Sequence, residues 1–212
     1  MQIELGKYTY QLLNEKALFR PHDATLIIAD LHLGKAQHFR KNGLYIPQQS
    51  AEKDYERWIS LINFLNPKRI ILLGDLFHSS FNQEWKLFCK FVNEWKQIEF
   101  VLILGNHDIL EKKHYQEVCS RIISDTLEEE DVIFSHHPLE KIPENKICIA
   151  GHIHPGVMLY GKGKQSIKLP CFYLHGNQLI LPAFGSLTGL QLIIPKKKSK
   201  VFVVTANIVM EV

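Results

Sequence analysis

Residues 25–32 read TLIIADLH. The first five form a short apolar, β-branched run, too brief for a helix and continuous enough for a strand buried on both faces, which delivers Asp30 and His32 at its carboxyl end. The same grammar recurs at 69–75 (RIILLGD), 99–108 (EFVLILGNHD), 132–138 (VIFSHHP) and 146–154 (KICIAGHIH). Between the first three runs lie amphipathic stretches. Residues 50–65 place Tyr55, Trp58, Ile59, Ile62 and Leu65 on one face behind a Ser50 cap, and residues 83–95 do likewise with Trp85, Phe88, Val92 and Trp95. Strand alternating with helix implies right-handed βαβ units around a mostly parallel sheet.

Beyond about residue 120 the texture changes to strands without helices. Residues 122–127, an acidic turn at 128–131 and residues 132–135 read as a hairpin, and the runs 157–160, 171–174, 178–181, 190–194 and 201–205 follow, separated by Gly, Pro and Lys. The second half therefore reads as antiparallel sheet added to the first. Lys196 to Lys198 with Lys200 reads as a solvated hairpin tip, and Trp58, Trp85 and Trp95 read as core packing.

With 212 residues and no linker, a single domain over 1–212 is expected, able to bury roughly 70% of its unfolded surface. The 46% apolar and 22% charged residues, with 25 basic against 22 acidic side chains, exclude a disordered, collagen-like or strongly polybasic chain. Cys89, Cys119, Cys148 and Cys171 form no C-x-x-C pair and are expected as mostly buried, reduced thiols of a cytoplasmic protein. No secretory h-region and no stretch of about 20 apolar residues is visible, so no membrane contact is expected.

The 11 histidines are the compositional oddity, half as many as the 22 carboxylates. Most fall just after a predicted strand, so Asp30-Leu31-His32, Gly74-Asp75, Gly105-Asn106-His107-Asp108, Ser135-His136-His137-Pro138 and Gly151-His152-Ile153-His154 are expected along one edge of one sheet. Singly, each is an ordinary turn or cap. Five in order point to a shared metal centre. In an extended segment D-x-H and H-x-H direct both side chains to one side. The mixed set Asp30, His32, Asp75, Asn106, His136, His152 and His154 suits Mn, Fe, Ni, Co or Zn, and seven candidates suit two ions roughly 3.5–4 Å apart sharing a carboxylate. Such a centre is positive and suits an anionic substrate such as a phosphate ester. The G-x-S-x-G elbow, the P-loop pattern and the H-x-H-x-D-H signature are absent from the chain.

In that order, D-x-H, G-D, G-N-H-D, a strand-end His and G-H-x-H resemble the calcineurin-like metallophosphoesterase superfamily over residues 26–154. The stretches 26–47, GDLFHS at 74–79, SHHP at 135–138, GHIHP at 151–155, LPCFYL at 169–174 and LPAFGSLTG at 181–189 resemble its bacterial DNA ligase-associated branch. The resemblance implies a mixed α/β fold, a four-layer αββα sandwich of two mixed β-sheets flanked by helices. It implies that Asp30, His32 and His154 hold one divalent ion and Asn106, His136 and His152 a second, with Asp75 bridging and manganese placed before Fe, Ni, Co, Zn or Mg. His136 is preferred to His137 because it directly follows its strand. His107 matches the residue that protonates the leaving oxygen or stabilises the transition state. The implied reaction is hydrolysis of a phosphodiester by a metal-bridging hydroxide, linked to DNA repair and to association with a ligase/helicase system. Alternatives are a phosphomonoesterase, a nucleotide pyrophosphohydrolase, or a mainly non-catalytic metal-binding component of a repair assembly.

One position departs from the superfamily. Where G-D-x-x-D is usual, this chain has His78, which is expected near the phosphate, pairing with His107 or touching substrate. His22, His38, His114 and His175 read as surface or supporting residues, Lys35, Arg40 and Lys41 as a solvated loop able to meet a phosphate, and Lys162, Lys164 and Lys168 as a candidate basic patch for nucleic acid or a nucleotide.

Overall fold

The computed structural model describes residues 1–35, 49–79 and 81–212, with the backbone alone at 49–52 and 164. Its first sheet runs β1 (Gln2–Leu5), β2 (Tyr8–Leu12), β3 (Leu18–Arg20), β4 (Thr25–Ile28), β5 (Arg69–Leu73), β6 (Glu99–Ile103) and β7 (Arg121–Ile123). Pairing is antiparallel up to β4 and parallel from β4 to β7, with Thr25 beside Arg69 and Arg69 beside Glu99. The parallel half is the βαβ core that the apolar runs predict. Helices α1 (Gln49–Leu65), α2 (Gln83–Glu94) and α3 (Lys112–Gln116) supply its outer layer. Asn82 caps α2, its Oδ1 accepting from the N–H groups of Glu84 and Trp85 at 2.8 and 3.2 Å, a bond set worth about 1 kcal/mol. The expected Ser50 cap lies inside α1, which opens at Gln49.

Because side chains alternate along a strand, β4 to β6 bury two faces against two partners. Leu26, Ile28, Ile70, Leu72, Phe100 and Leu102 pack under the helices with Trp58 and Trp85, both fully buried, and Trp95 packs at the edge of the same cluster. Ile27, Ala29, Ile71, Leu73, Val101 and Ile103 meet Phe134, Ile149, Phe172, Leu179 and Phe202 of the second sheet. That sheet contains β8 (Thr126–Glu129), β9 (Val132–Ser135), β10 (Ile147–Ala150), β11 (Pro155–Tyr160), β12 (Ser166–His175), β13 (Gln178–Ile180), β14 (Gln191–Leu192), β15 (Lys200–Val204) and β16 (Val209–Glu211). The expected mixed α/β sandwich of two mixed sheets is what the chain forms.

Several particulars differ from the sequence reading. Residues 122–127 are not one strand: residues up to Ile123 pair parallel with β6, while Thr126 onward pairs antiparallel with β9, so Ser124 and Asp125 cross between sheets. Glu128 and Glu129 are strand residues, which shortens the expected turn. The second half is not simply antiparallel, since β9, β10 and β13 run parallel. It is also a separate sheet, which places the strand ends of the two halves opposite each other instead of along one edge of one sheet. The lysines at 196–198 follow β14, paired to β11, and precede β15, paired to β12, so they do not tip a hairpin. The outer face of the second sheet packs Val157, Cys171, Tyr173, Ile180, Val201 and Val203 under Ile153, Leu159, Leu169 and Ile193, and none of the described α-helices covers it. Strands β1 to β3 and β16 carry no long apolar run and escape the sequence reading. Cys119, Cys148 and Cys171 are buried, Cys89 is half-buried, and all four are free thiols.

Candidate metal centre

Past their last paired residues β4 and β5 stay zipped together. The N–H groups of Asp30, His32 and Leu33 donate to the carbonyls of Gly74, Asp75 and Leu76 at 3.3, 2.8 and 2.9 Å. This brings Asp30 and His32 beside Asp75, and the second sheet brings His136 from the end of β9 and His152 and His154 from the end of β10. The alignment is not the extended one expected. Asp30, His32, Asp75, His152 and His154 have φ of +55°, +49°, +49°, +69° and +52°, in the left-handed region. Such residues cost of order 1–3 kcal/mol each and gather where the surroundings over-determine them. Two glycines make room. A Cβ on Gly74 would stand 2.3 Å from His136 Nδ1, and one on Gly105 would stand 2.3 Å from Asp75 Oδ1.

Two clusters form around Asp75. In the first, Asp30, His32 and His154 converge, with His154 Nε2 3.3 Å from Asp30 Oδ1, His32 Nε2 3.4 Å from His154 Nε2 and 3.5 Å from Asp75 Oδ2. In the second, His136 Nε2 lies 3.0 Å from Asn106 Oδ1, 3.1 Å from His152 Nδ1 and 3.4 Å from Asp75 Oδ1. Asp75 thus turns one carboxylate oxygen to each cluster. His136 Nδ1 sits 2.9 Å from the Leu73 carbonyl and must carry its proton there, which leaves a lone pair on Nε2. Its neighbours Asn106 Oδ1 and Asp75 Oδ1 are acceptors too, so lone pairs face one another with no proton to share. Asp30 Oδ1 is buried without a hydrogen-bond partner, while Oδ2 accepts the His152 N–H at 2.9 Å. A cation resolves both conflicts: two ligand atoms each about 2.1 Å from one ion lie roughly 3.0–3.4 Å apart. The residues present fit a pair of divalent ions.

Electrostatics keeps His32 and His152 in the form that binds metal. Burial, reinforced by the charges of Lys35, His154, His78 and His107, holds His32 down at about 2. Burial and the neighbouring His136 also lower His152 and His137. His107 rests its N–H on Asp75 Oδ1 at 2.9 Å, and its ring is 4.0 Å from that of His78, whose Nδ1 is 3.2 Å from His32 Nδ1. His78 therefore lies beside His107. His137 is exposed, its ring 4.1 Å from that of His152, whereas His136 is the buried member of the pair.

Sequence reasoning gave no role to Asp108. Its carboxylate accepts from the N–H groups of Gly105 and Phe77 at 2.8 and 3.0 Å, tying the two loops that carry Asp75 and Asn106, and burial raises it to about 6. Its place in G-N-H-D was the available signal. His22 lies against Tyr8, His114 near Phe81 and Glu117, and His175 against Tyr173, none of them in either cluster. His38, Arg40 and Lys41 lie outside the described residues. Lys162 and Lys168 are exposed, and the Lys164 side chain is outside the description.

A family model described as calcineurin-like phosphoesterase matches residues 24–169. The crystal structure of the nuclease MPE of Pseudomonas putida superposes with a TM-score of 0.80 at 24% identity, over 100% of this chain and 99% of that one. A phosphoesterase from E. coli reaches a TM-score of 0.42 at 15% identity, over 84% and 87% of the two chains, too slight a likeness to carry an argument. No curated protein matches. Among the described residues no helix is long and apolar enough to cross a membrane.

Proposed function

The chain belongs to the calcineurin-like phosphoesterase family and is a metal-dependent hydrolase of phosphate esters, and from that premise we propose that it is a phosphodiesterase acting on nucleic acid. One observation carries the reading: with the His136 Nδ1 proton spent on the Leu73 carbonyl, His136 Nε2, Asn106 Oδ1 and Asp75 Oδ1 converge from both sheets as acceptors. Asp30, His32 and His154 would hold one ion and Asn106, His136 and His152 the other, with Asp75 offering one carboxylate oxygen to each. Manganese suits this mixed oxygen and nitrogen set. When bound, the ions lower the pKa of water toward neutrality and neutralise phosphoryl charge.

The chain's own groups do the rest. The His107 ring, carried on a backbone whose main-chain N–H is pinned to Asp75 Oδ1, gives the proton to the leaving oxygen. With His32 Nε2 turned to the ion, its Nδ1 proton is donated to His78 Nδ1, which fixes His78 as the tautomer protonated on Nε2. His78 so orients a ligand and packs on the His107 ring, supporting a role that the superfamily usually gives to a carboxylate. A cavity of about 250 Å³ lined by Asn106, Ser124, Asp125, His136, His137 and Leu139 adjoins the second cluster and accepts the organic part of the ester. The shared fold of a nuclease over the whole chain and the 181–189 segment support nucleic acid as substrate, the ligase-associated branch and a link to DNA repair.

The test is turnover of an aryl phosphodiester, an aryl phosphomonoester and single-stranded DNA with Mn²⁺, Mg²⁺ or Zn²⁺ supplied. Diester and DNA cleavage at least tenfold above monoester cleavage is expected with Mn²⁺. A monoester preference makes the chain a phosphomonoesterase, and no turnover of any substrate makes it a binding component.

A further inference from the structure

The 181–193 segment contains the LPAFGSLTG stretch and no candidate ligand, yet it runs along the first cluster. Between β13 and the far side of β14 its N–H groups donate in turn to main-chain carbonyls: Leu181 to Ala150 at 2.8 Å, Phe184 to Ala29 at 2.8 Å, Gly185 to Asp30 at 3.1 Å and Gln191 to His154 at 3.0 Å. Two of those carbonyls belong to Asp30 and His154, both left-handed. No described main-chain bond of the segment reaches Asn106, His136 or His152. The approach is close enough that a Cβ on Gly185 would stand 2.2 Å from the Leu31 carbonyl oxygen.

A charged lock presses the segment into place. Asp54, on α1 and 5% exposed, accepts the Ser186 N–H on Oδ2 at 2.8 Å, and the Ser186 hydroxyl and Arg57 Nη2 on Oδ1 at 2.5 and 2.8 Å. Arg57 also donates to the Phe184 carbonyl and lies 4.1 Å over the Phe184 ring. Withdrawing this pair from water costs free energy unless its partners are held in good geometry, so the lock defines one position for the segment. Left-handed Asp30 needs such definition, because its backbone is free to relax when released.

We propose that residues 181–193, locked by Asp54 and Arg57, position Asp30 and His154 and thereby tune the first ion more than the second, which Asp30 meets through the bond from the His152 N–H to its Oδ2 and which the Leu73 carbonyl and the Asp108 brace otherwise set. Asp54 and Arg57 are positioning residues. The inference rests on the two-ion reading above, and the experiment separates the two. Mn²⁺ binding to the purified chain is followed by calorimetry, with free Mn²⁺ counted by electron paramagnetic resonance. The wild type binds two ions. Asp54→Asn, which keeps one acceptor oxygen for Ser186 and removes the charge facing Arg57, weakens one site by about 10–100-fold and the other by less than about threefold. Adding His154→Ala leaves Asp54→Asn with nothing further to weaken, whereas adding His136→Ala gives additive losses. Equal weakening of both sites, or of neither, in a variant with the wild-type circular dichroism spectrum overturns the proposal alone. A wild-type stoichiometry below two overturns the two-ion reading with it. Should Asp54→Asn fail to fold, Ser186→Ala, which deletes one hydrogen bond of the lock, is measured with the same outcomes.

Discussion

Strands β4 and β5 have polar clusters at both ends, and each cluster ties the first sheet to the second. At the amino end Arg20 grips Asp23 through Nε and Nη2 at 2.9 and 2.7 Å and reaches Glu129 at 2.9 Å, while Arg69 holds Glu129 at 2.6 and 2.9 Å and Asp23 at 3.1 Å. Two guanidiniums meet two carboxylates, every carboxylate oxygen finds a donor, and the charge closes to zero. At the carboxyl end two carboxylates meet imidazoles and an amide oxygen, and Asp30 Oδ1 finds no donor. The first cluster is complete as protein; the second is complete only with cations. What separates a structural clamp from a metal centre here is the supply of protons to share, not the number of charges or their depth.

The sharpest way to break this contrast is at Asp75. Asp75→Asn removes the carboxylate common to both groups, and kcat/KM falls on the order of 10³-fold, since several kcal/mol of charge stabilisation go with the ions. Its urea midpoint in chelator stays near the wild-type value, because the carboxyl-end cluster contributes little without metal. Arg20→Ala does the reverse. It leaves Glu129 and Asp23 short of a partner and costs about 2–3 kcal/mol by urea unfolding, below the 3–5 of a fully buried pair because both carboxylates keep some solvent. The rate per folded molecule is unchanged.

Acid separates the two ends next. Burial alone would raise Asp23 and Glu129, but hydrogen bonds from Arg20 and Arg69 and their charges outweigh it and hold both carboxyls below the usual range. Their contribution is whole above a pH of about 4.5 and is lost as pH falls below it. His32 is lowered by burial, so its contribution is whole above about pH 6.5 and begins to be lost as pH falls through that value. Metal-free protein therefore weakens in two windows, measured as the urea midpoint against pH. His32→Gln shrinks the upper one and Glu129→Gln the lower. The smallest effect belongs to His78→Ala, about tenfold on kcat as the loss of a ligand's orienting partner, with His78→Asp restoring part of it. Equal activity in wild type and both variants assigns His78 no part.

Much of the centre was legible because its chemistry is local. Each candidate ligand follows an apolar run that has one physical reading, a strand buried on both faces, and polar residues directly after such a strand emerge at its end. Three things were not legible. The Ser124–Asp125 crossing looks like the interior of one strand, since nothing in six residues says which sheet each half will join. Glu129 looked like part of a turn because its partners, Arg20 and Arg69, lie 109 and 60 residues away. The lock on Ser186 spans 132 residues and reads in sequence only as a Gly-Ser loop and a helix-face aspartate.

The sequence by itself determined the candidate ligand types, their order along the chain and the burial of the strands that present them, because apolar continuity and motif spacing act over a few residues. Only the tertiary structure decided that two sheets share the centre, that five of its residues turn left-handed and that Asp75 faces both groups. These rest on atoms far apart in the chain being held 3.0–3.4 Å from one another around His136 Nε2, while the ring proton of His136 is spent on the Leu73 carbonyl. No local pattern carries that requirement, which the packing of one sheet against the other imposes.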